Sequence, residues 1–166
     1  MTRMNIHEQI LDRPMCEMDP MPSQTPFVPA PERTALFAAN GFDMALSTIE
    51  RMQLSLLRAA ELFREEKTAD ANRYFSHCQE GLERFQETVT LTRAVLKLDF
   101  TKIGVENRTL SQVDKEFSQI LKSILVCQEA SDWQGIADCV EYELITNLSS
   151  WTNALRLLRL SQHSNA

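Results

Sequence analysis

Trp133, Ala137, Val140, Leu144, Asn147, Trp151, Ala154 and Leu158 recur at steps of four and three without a break. That spacing puts them on one stripe of a long amphipathic α-helix. Two tryptophans on a single stripe can be satisfied only by a large apolar surface facing it. The stretch opens with a helix-start signal. Ser131 followed three residues later by Gln134 reads as a capping box, with Asp132 adding negative charge at the positive end of the dipole.

Three further stripes precede it. Phe42, Ala45, Ile49, Met52, Leu56, Ala59 and Phe63 mark a helix that starts near Thr34 or Gly41 and ends at Glu66. Thr68 then serves as N-cap of a second helix carrying Ala71, Phe75, Cys78, Leu82, Phe85, Val89, Thr92 and Leu96. Gly81, in its middle, costs about 1 kcal/mol relative to alanine, which close approach of another helix would offset. The pattern lapses from Asp99 to Arg108, where Gly104 and Asn107 supply turn chemistry. Thr109 and Gln112 have capping-box spacing, and Val113, Phe117, Ile120, Ile124 and Cys127 give the third stripe.

Nothing alternates with period two, so no strands are expected. The four helices fall near residues 34–66, 69–100, 110–130 and 132–161, with almost no chain between the first two or the last two. Tight joins make sequential helices antiparallel neighbours. The expected fold is therefore all-α, an up-down-up-down antiparallel four-helix bundle over residues 34–166. All six prolines and five of the seven methionines lie before residue 32. Fixed φ angles and missing amide donors leave residues 14–31 without regular structure, so residues 1–33 read as a flexible Pro/Met-rich tail.

Composition removes several function classes. The chain has 17 Lys and Arg against 23 Asp and Glu, a net charge of −6 with no basic block. Such a field repels nucleic acid and anionic membrane surfaces. Cys16, Cys78, Cys127 and Cys139 form no CxxC pair, which fits reduced thiols and a cytoplasmic home. A di-iron bundle needs Glu-x-x-His pairs, but Met4, Tyr74 and Leu160 stand three residues before His7, His77 and His163. No zinc spacing occurs either, so neither metal nor cofactor is expected. Cys139 has Asp138 and Glu143 as helical neighbours, the wrong field for a reactive thiolate. Asn147 reads as a register-setting amide in the core, and Glu80 with Arg84 as a solvated helix pair. No catalytic residue is assigned.

His77 is the one side chain with a chemical alternative. It sits on the outer side of the second helix with small Gly81 one turn on, as in histidine phosphotransfer bundles. The residue three after it is Glu80, whose charge would repel a phosphoryl group. The other feature left over is apolar. Leu54 and Leu57 take outward positions of the first helix, and Tyr142 and Ile145 the corresponding positions of the fourth. An apolar patch in that place suggests a groove for an amphipathic helix of a protein partner.

Residues Leu57-Arg58-Ala59-Ala60-Glu61-Leu62-Phe63-Arg64-Glu65-Glu66-Lys67, leading into Ala69-Asp70-Ala71-Asn72-Arg73-Tyr74, resemble the first hairpin of the bacterial flagellin export chaperones. Gln128 to Trp151, with Asp132-Trp133 and Glu141-Tyr142-Glu143-Leu144, is similar to their last hairpin, and related bacterial four-helix bundles share the pattern. The resemblance spans residues 42–160. It implies a cytoplasmic chaperone or adaptor that holds an amphipathic segment of a partner, with a flagellar subunit as the type of client. A non-enzymatic protein-binding bundle is the expected function. The alternatives are a phosphotransfer module using His77 and a structural bundle that forms homodimers.

Overall fold

The computed structural model describes residues 30–164. Among them, α1 is Ala30–Arg64, α2 Thr68–Leu96 and α3 Leu110–Glu129. A fourth helix, α4, is continuous but changes pitch. Its segments are Trp133–Asp138 (α), Cys139–Leu144 (π) and Ile145–Ser164 (α). Between α2 and α3 lies a small antiparallel hairpin, β1 (Gly104–Val105) with β2 (Arg108–Thr109). The fold is all-α in class, with four helices supplying nearly all of its regular structure.

The apolar stripes are the core. Every residue of the first stripe is buried, as are Ala71 through Thr92 of the second and Val113 through Ile124 of the third. On α4 the buried line takes in Ile136 and Leu148 besides the expected stripe, while Trp133 is only partly buried. Trp133 instead stacks on Phe63, with 5.6 Å between ring centroids and planes 4° apart. Trp151 is the hub of the other end, edge-on to Phe85 at 5.4 Å and to Phe100 at 5.9 Å. Phe85 also meets Phe117 of α3 at 5.6 Å.

Three helix pairs run in opposite senses. Along α1 and α2, Phe63 meets Phe75 at 6.2 Å, Met52 lies over Gly81, and Gly41 lies against Thr92. A Cβ added to Gly81 would stand 2.5 Å from Met52 Sδ, so the helices approach where the sequence omits a side chain. Along α1 and α4, Arg64 bonds Asp138 (2.8 Å) and Glu141 (2.7 Å), Gln53 donates to Ser149 (3.4 Å), and Asp43 pairs with Arg159 (3.0 Å). Along α3 and α4, Cys127 lies against Gly135, and Asn147 Nδ2 donates to the Val113 carbonyl at 3.0 Å.

Several expectations need correction. Two short strands exist after all, because Glu106 at φ 56° turns the chain and pairs Gly104 with Thr109. The second helix stops at Leu96 rather than near residue 100, where Lys97 turns left-handed at φ 52°. Thr68 is already helical, and its predecessor Lys67 makes no side-chain cap bond. The first helix begins at Ala30, earlier than Thr34. Pro31 falls in its first turn, where a missing N–H leaves no helical bond unmade. The expected irregular stretch therefore loses its last two residues to α1, and its remainder lies outside the described residues.

Ser131 is the most informative correction. Its N–H donates to the Gln128 carbonyl (3.0 Å), and the N–H of Asp132 donates to that of Cys127 (2.8 Å), with Ser131 at φ 54°. That is a Schellman ending of α3, so Ser131 closes one helix rather than opening the next. Asp132 is the N-cap of α4, its Oδ1 accepting from the Gly135 N–H at 2.9 Å. The Thr109–Gln112 capping box, by contrast, stands as read.

Candidate interaction surfaces

The α1–α4 bridges locate the four residues expected to meet a partner. Leu57 is one turn beyond Gln53, and Ile145 is one turn before Ser149, so both border the same inter-helix seam. Ile145 is partly buried against the core, whereas Leu57 is 37 % exposed. Leu54, three residues earlier on α1, is 76 % exposed and stands further into solvent. Tyr142 is 65 % exposed, and the Arg64 guanidinium lies 5.8 Å from its ring centroid. Leu57 and Ile145 thus share a seam, and Tyr142 sits beyond the arginine that bolts the helices together. Arg64 was not singled out from the sequence, since its partners lie on another helix.

A second surface follows the outer side of the α1–α2 hairpin. His77 is exposed there and lines two adjoining cavities of about 390 and 590 Å³. The first also holds Arg51 and Arg84, the second Arg58 and Arg73. Glu80, at the position that argued against phosphoryl chemistry, is 3.9 Å from Arg84. Spacing along one helix could not reveal this, because Arg51 and Arg58 come from α1.

A third surface is the groove between α3 and α4, a cavity of about 260 Å³. Asn147 lines it, is 3 % exposed, and among the described residues has no partner for Oδ1. Trp151 Nε1, one turn on, is likewise buried without a partner among the described residues. Tyr142 and Glu143 of the π-helical turn reach the same groove, and Arg108 lies at its end, bonded to Glu116 and to Ser150 (2.9 Å).

The three described cysteines form no disulfide. Burial pushes the Cys78 thiol up to about 11. Cys139 is pushed up to about 11 as well, by burial first and then by Glu143 and the neighbouring Cys127. Both are neutral thiols near pH 7, packing rather than attacking. Among the described residues, no group of three or more His, Cys, Asp or Glu could hold a metal ion, and no helix is long and apolar enough to cross a membrane.

Residues 42–154 match a family described as a domain of unknown function (DUF8042). The chain belongs to that family. The match opens at Phe42, the first core residue of α1, and closes at Ala154, within the last buried stretch of α4. DUF8042 thus takes in the α1–α2 hairpin from Phe42 onward, the small strand pair, α3 and the π-helical turn, and so spans the three surfaces above. Comparison with curated proteins and with solved structures gives no match.

Proposed function

We propose that this chain is a non-enzymatic binding bundle that holds an amphipathic segment of a protein partner against α1 and α4. Leu54, Leu57, Tyr142 and Ile145 are the contact residues of that reading. The observation that carries it is the exposure of Leu54 and Tyr142, at 76 % and 65 % among the highest of the large hydrophobic side chains of the described residues. The antiparallel pairings of α1 with α2, α1 with α4 and α3 with α4 support an up-down-up-down arrangement. The three described thiols, free of disulfides, support a cytoplasmic home. The resemblance to flagellin export chaperones makes an amphipathic helix of a flagellar subunit the first partner to try. The test is purification of the tagged chain from its native cells, identification of co-eluting proteins by mass spectrometry, and a direct binding measurement with the isolated segment. Absence of a stoichiometric protein, or binding of the chain to itself alone, would sink the proposal in favour of a homodimeric structural bundle.

A second reading has its own support. Four arginines line the cavities that His77 shares, and they could balance the charge that a phosphoryl group would bring. On that reading His77 is a phosphotransfer residue. Acid-labile phosphate on the wild type but not on His77→Gln would establish it, and its absence after incubation with a phosphohistidine donor would dismiss it.

A further inference from the structure

Two thiols meet where α3 turns into α4, and neither lines the surfaces described above. The turn places them. Ser131 at φ 54° closes α3, and the Asp132 N–H returns to the Cys127 carbonyl at 2.8 Å. Asp132 then caps α4 through the Gly135 N–H at 2.9 Å, so the start of α4 is tied back against the last turn of α3. Cys127 lies over Gly135 there. A Cβ added to residue 135 would stand 2.9 Å from Cys127 Sγ, so the missing side chain is what admits the thiol. Cys139 is one turn further along α4, its N–H bonded to the Gly135 carbonyl. Its side chain is in hydrogen-bonding contact with Cys127 and with the Glu143 carboxylate.

Burial separates this pair from the other described cysteine. Cys127 and Cys139 are both partly exposed, whereas Cys78 is buried on α2. Packing alone would be served by any two small apolar residues. Sulfur against sulfur, from two helices and at a place that solvent reaches, is the arrangement from which a disulfide closes.

The two thiols differ in role. Cys139 is held neutral by burial and by Glu143, so it does not attack a dissolved oxidant. That step falls to Cys127. Hydrogen peroxide transfers one oxygen to Cys127, which becomes a sulfenic acid, and the other oxygen leaves as water. The Cys139 sulfur then displaces the sulfenic oxygen, which departs with the thiol's proton as a second water. Two thiols and one peroxide thus give one disulfide and two waters. Contact stands in for reactivity in the second step, because Cys139 has only to close on a sulfur already beside it.

We propose that Cys127 and Cys139 are a peroxide-sensitive modification site, a dithiol that closes to a reversible disulfide between α3 and the entrance of the π-helical turn. The link ties the last turn of α3 to the residue at which α4 widens, and it is independent of any partner on α1 and α4. In the test, the full reduced chain is exposed to hydrogen peroxide, its remaining thiols are alkylated, and its peptides are mapped by mass spectrometry. Circular dichroism taken throughout shows that the folded chain is what reacts. The expected product is a pair of peptides joined through Cys127 and Cys139, two hydrogens lighter than the reduced pair, and dithiothreitol should restore both thiols. Cys139→Ser should stop at a sulfenic acid on Cys127, captured by dimedone, and Cys127→Ser should keep Cys139 as a thiol. The wild-type map decides alone if either variant fails to fold. Both thiols still open to alkylation after exposure, or a link from either of them to Cys16, Cys78 or a second molecule, would overturn the proposal. Sulfenic acid on Cys139 in Cys127→Ser would overturn the order of attack.

Discussion

Glu66, Lys97 and Ser131 carry positive φ angles of 59°, 52° and 54° at the ends of α1, α2 and α3. Each closes its helix with the same pair of backbone bonds, such as Lys67 N–H to the Leu62 carbonyl at 2.9 Å and Leu98 N–H to that of Arg93 at 3.0 Å. Glycine is the residue such endings favour, and a non-glycine residue is strained there by about 1–2 kcal/mol. No glycine of the described chain has positive φ. Gly41 and Gly81 lie instead where α1 meets α2. Helix ends were therefore harder to read than helix faces, since the usual glycine stop signals are spent on close packing. Ser131→Gly should raise stability by up to about 1 kcal/mol, because it relieves that strain. Asp132→Ala should lower it by about 1 kcal/mol, because it removes the true cap of α4. Urea midpoints of the two variants check the assignment, and the opposite signs would restore Ser131 as the cap.

Two other residue-scale outcomes follow from burial. Leu56 and Ile124 sit in the core, so Leu56→Ala or Ile124→Ala should cost about 2–5 kcal/mol in denaturant unfolding. Cys78 and Cys139 have folded-state thiols raised from 9.0 to about 11. Below 9.0 the thiols are protonated in both states, and their contribution is present in full. As pH rises toward 11, the unfolded chain releases these protons first, so stability falls across that window. Urea midpoints across that range should show the decline, and a smaller one in Cys78→Ala. An equal decline in the variant would count against burial of the Cys78 thiol as its source.

At the scale of elements, the four stripes were legible because each helix buries one face and exposes the other. The π-helical turn was not recognised, although its trace was present. Ile136, Val140, Leu144 and Leu148 are all buried at successive steps of four. Steps of four drift by about 40° each on a straight α-helix, and a wider turn absorbs the drift. A four-and-three stripe can be drawn through the same stretch, and it hid the signal. Deleting Glu143 should convert the turn to α-helix while leaving both flanking stripes in register. Deleting Ser118 from α3 should instead rotate everything beyond it by about 100°. Circular dichroism melts should show cooperative unfolding for the first deletion and its loss for the second. Equal damage from both would mean that the π turn does not act as a one-residue insertion. The strand pair was missed for a different reason, because two residues on each side are too few to show a period.

For the whole molecule, the apolar stripes of all four helices join in one hydrophobic core. What each surface does was less legible. Its parts come from different helices, as with Arg51 and Arg84 around His77, or Arg64 beside Tyr142. The central claim is that the outer side of α1 and α4 holds a partner segment. The most direct test is calorimetric titration of the co-purified partner's segment into wild type and into Leu57→Glu combined with Tyr142→Glu. Losing two exposed apolar anchors should weaken binding at least about tenfold, with helical content and melting temperature retained. Unchanged affinity in a folded double variant would contradict the account.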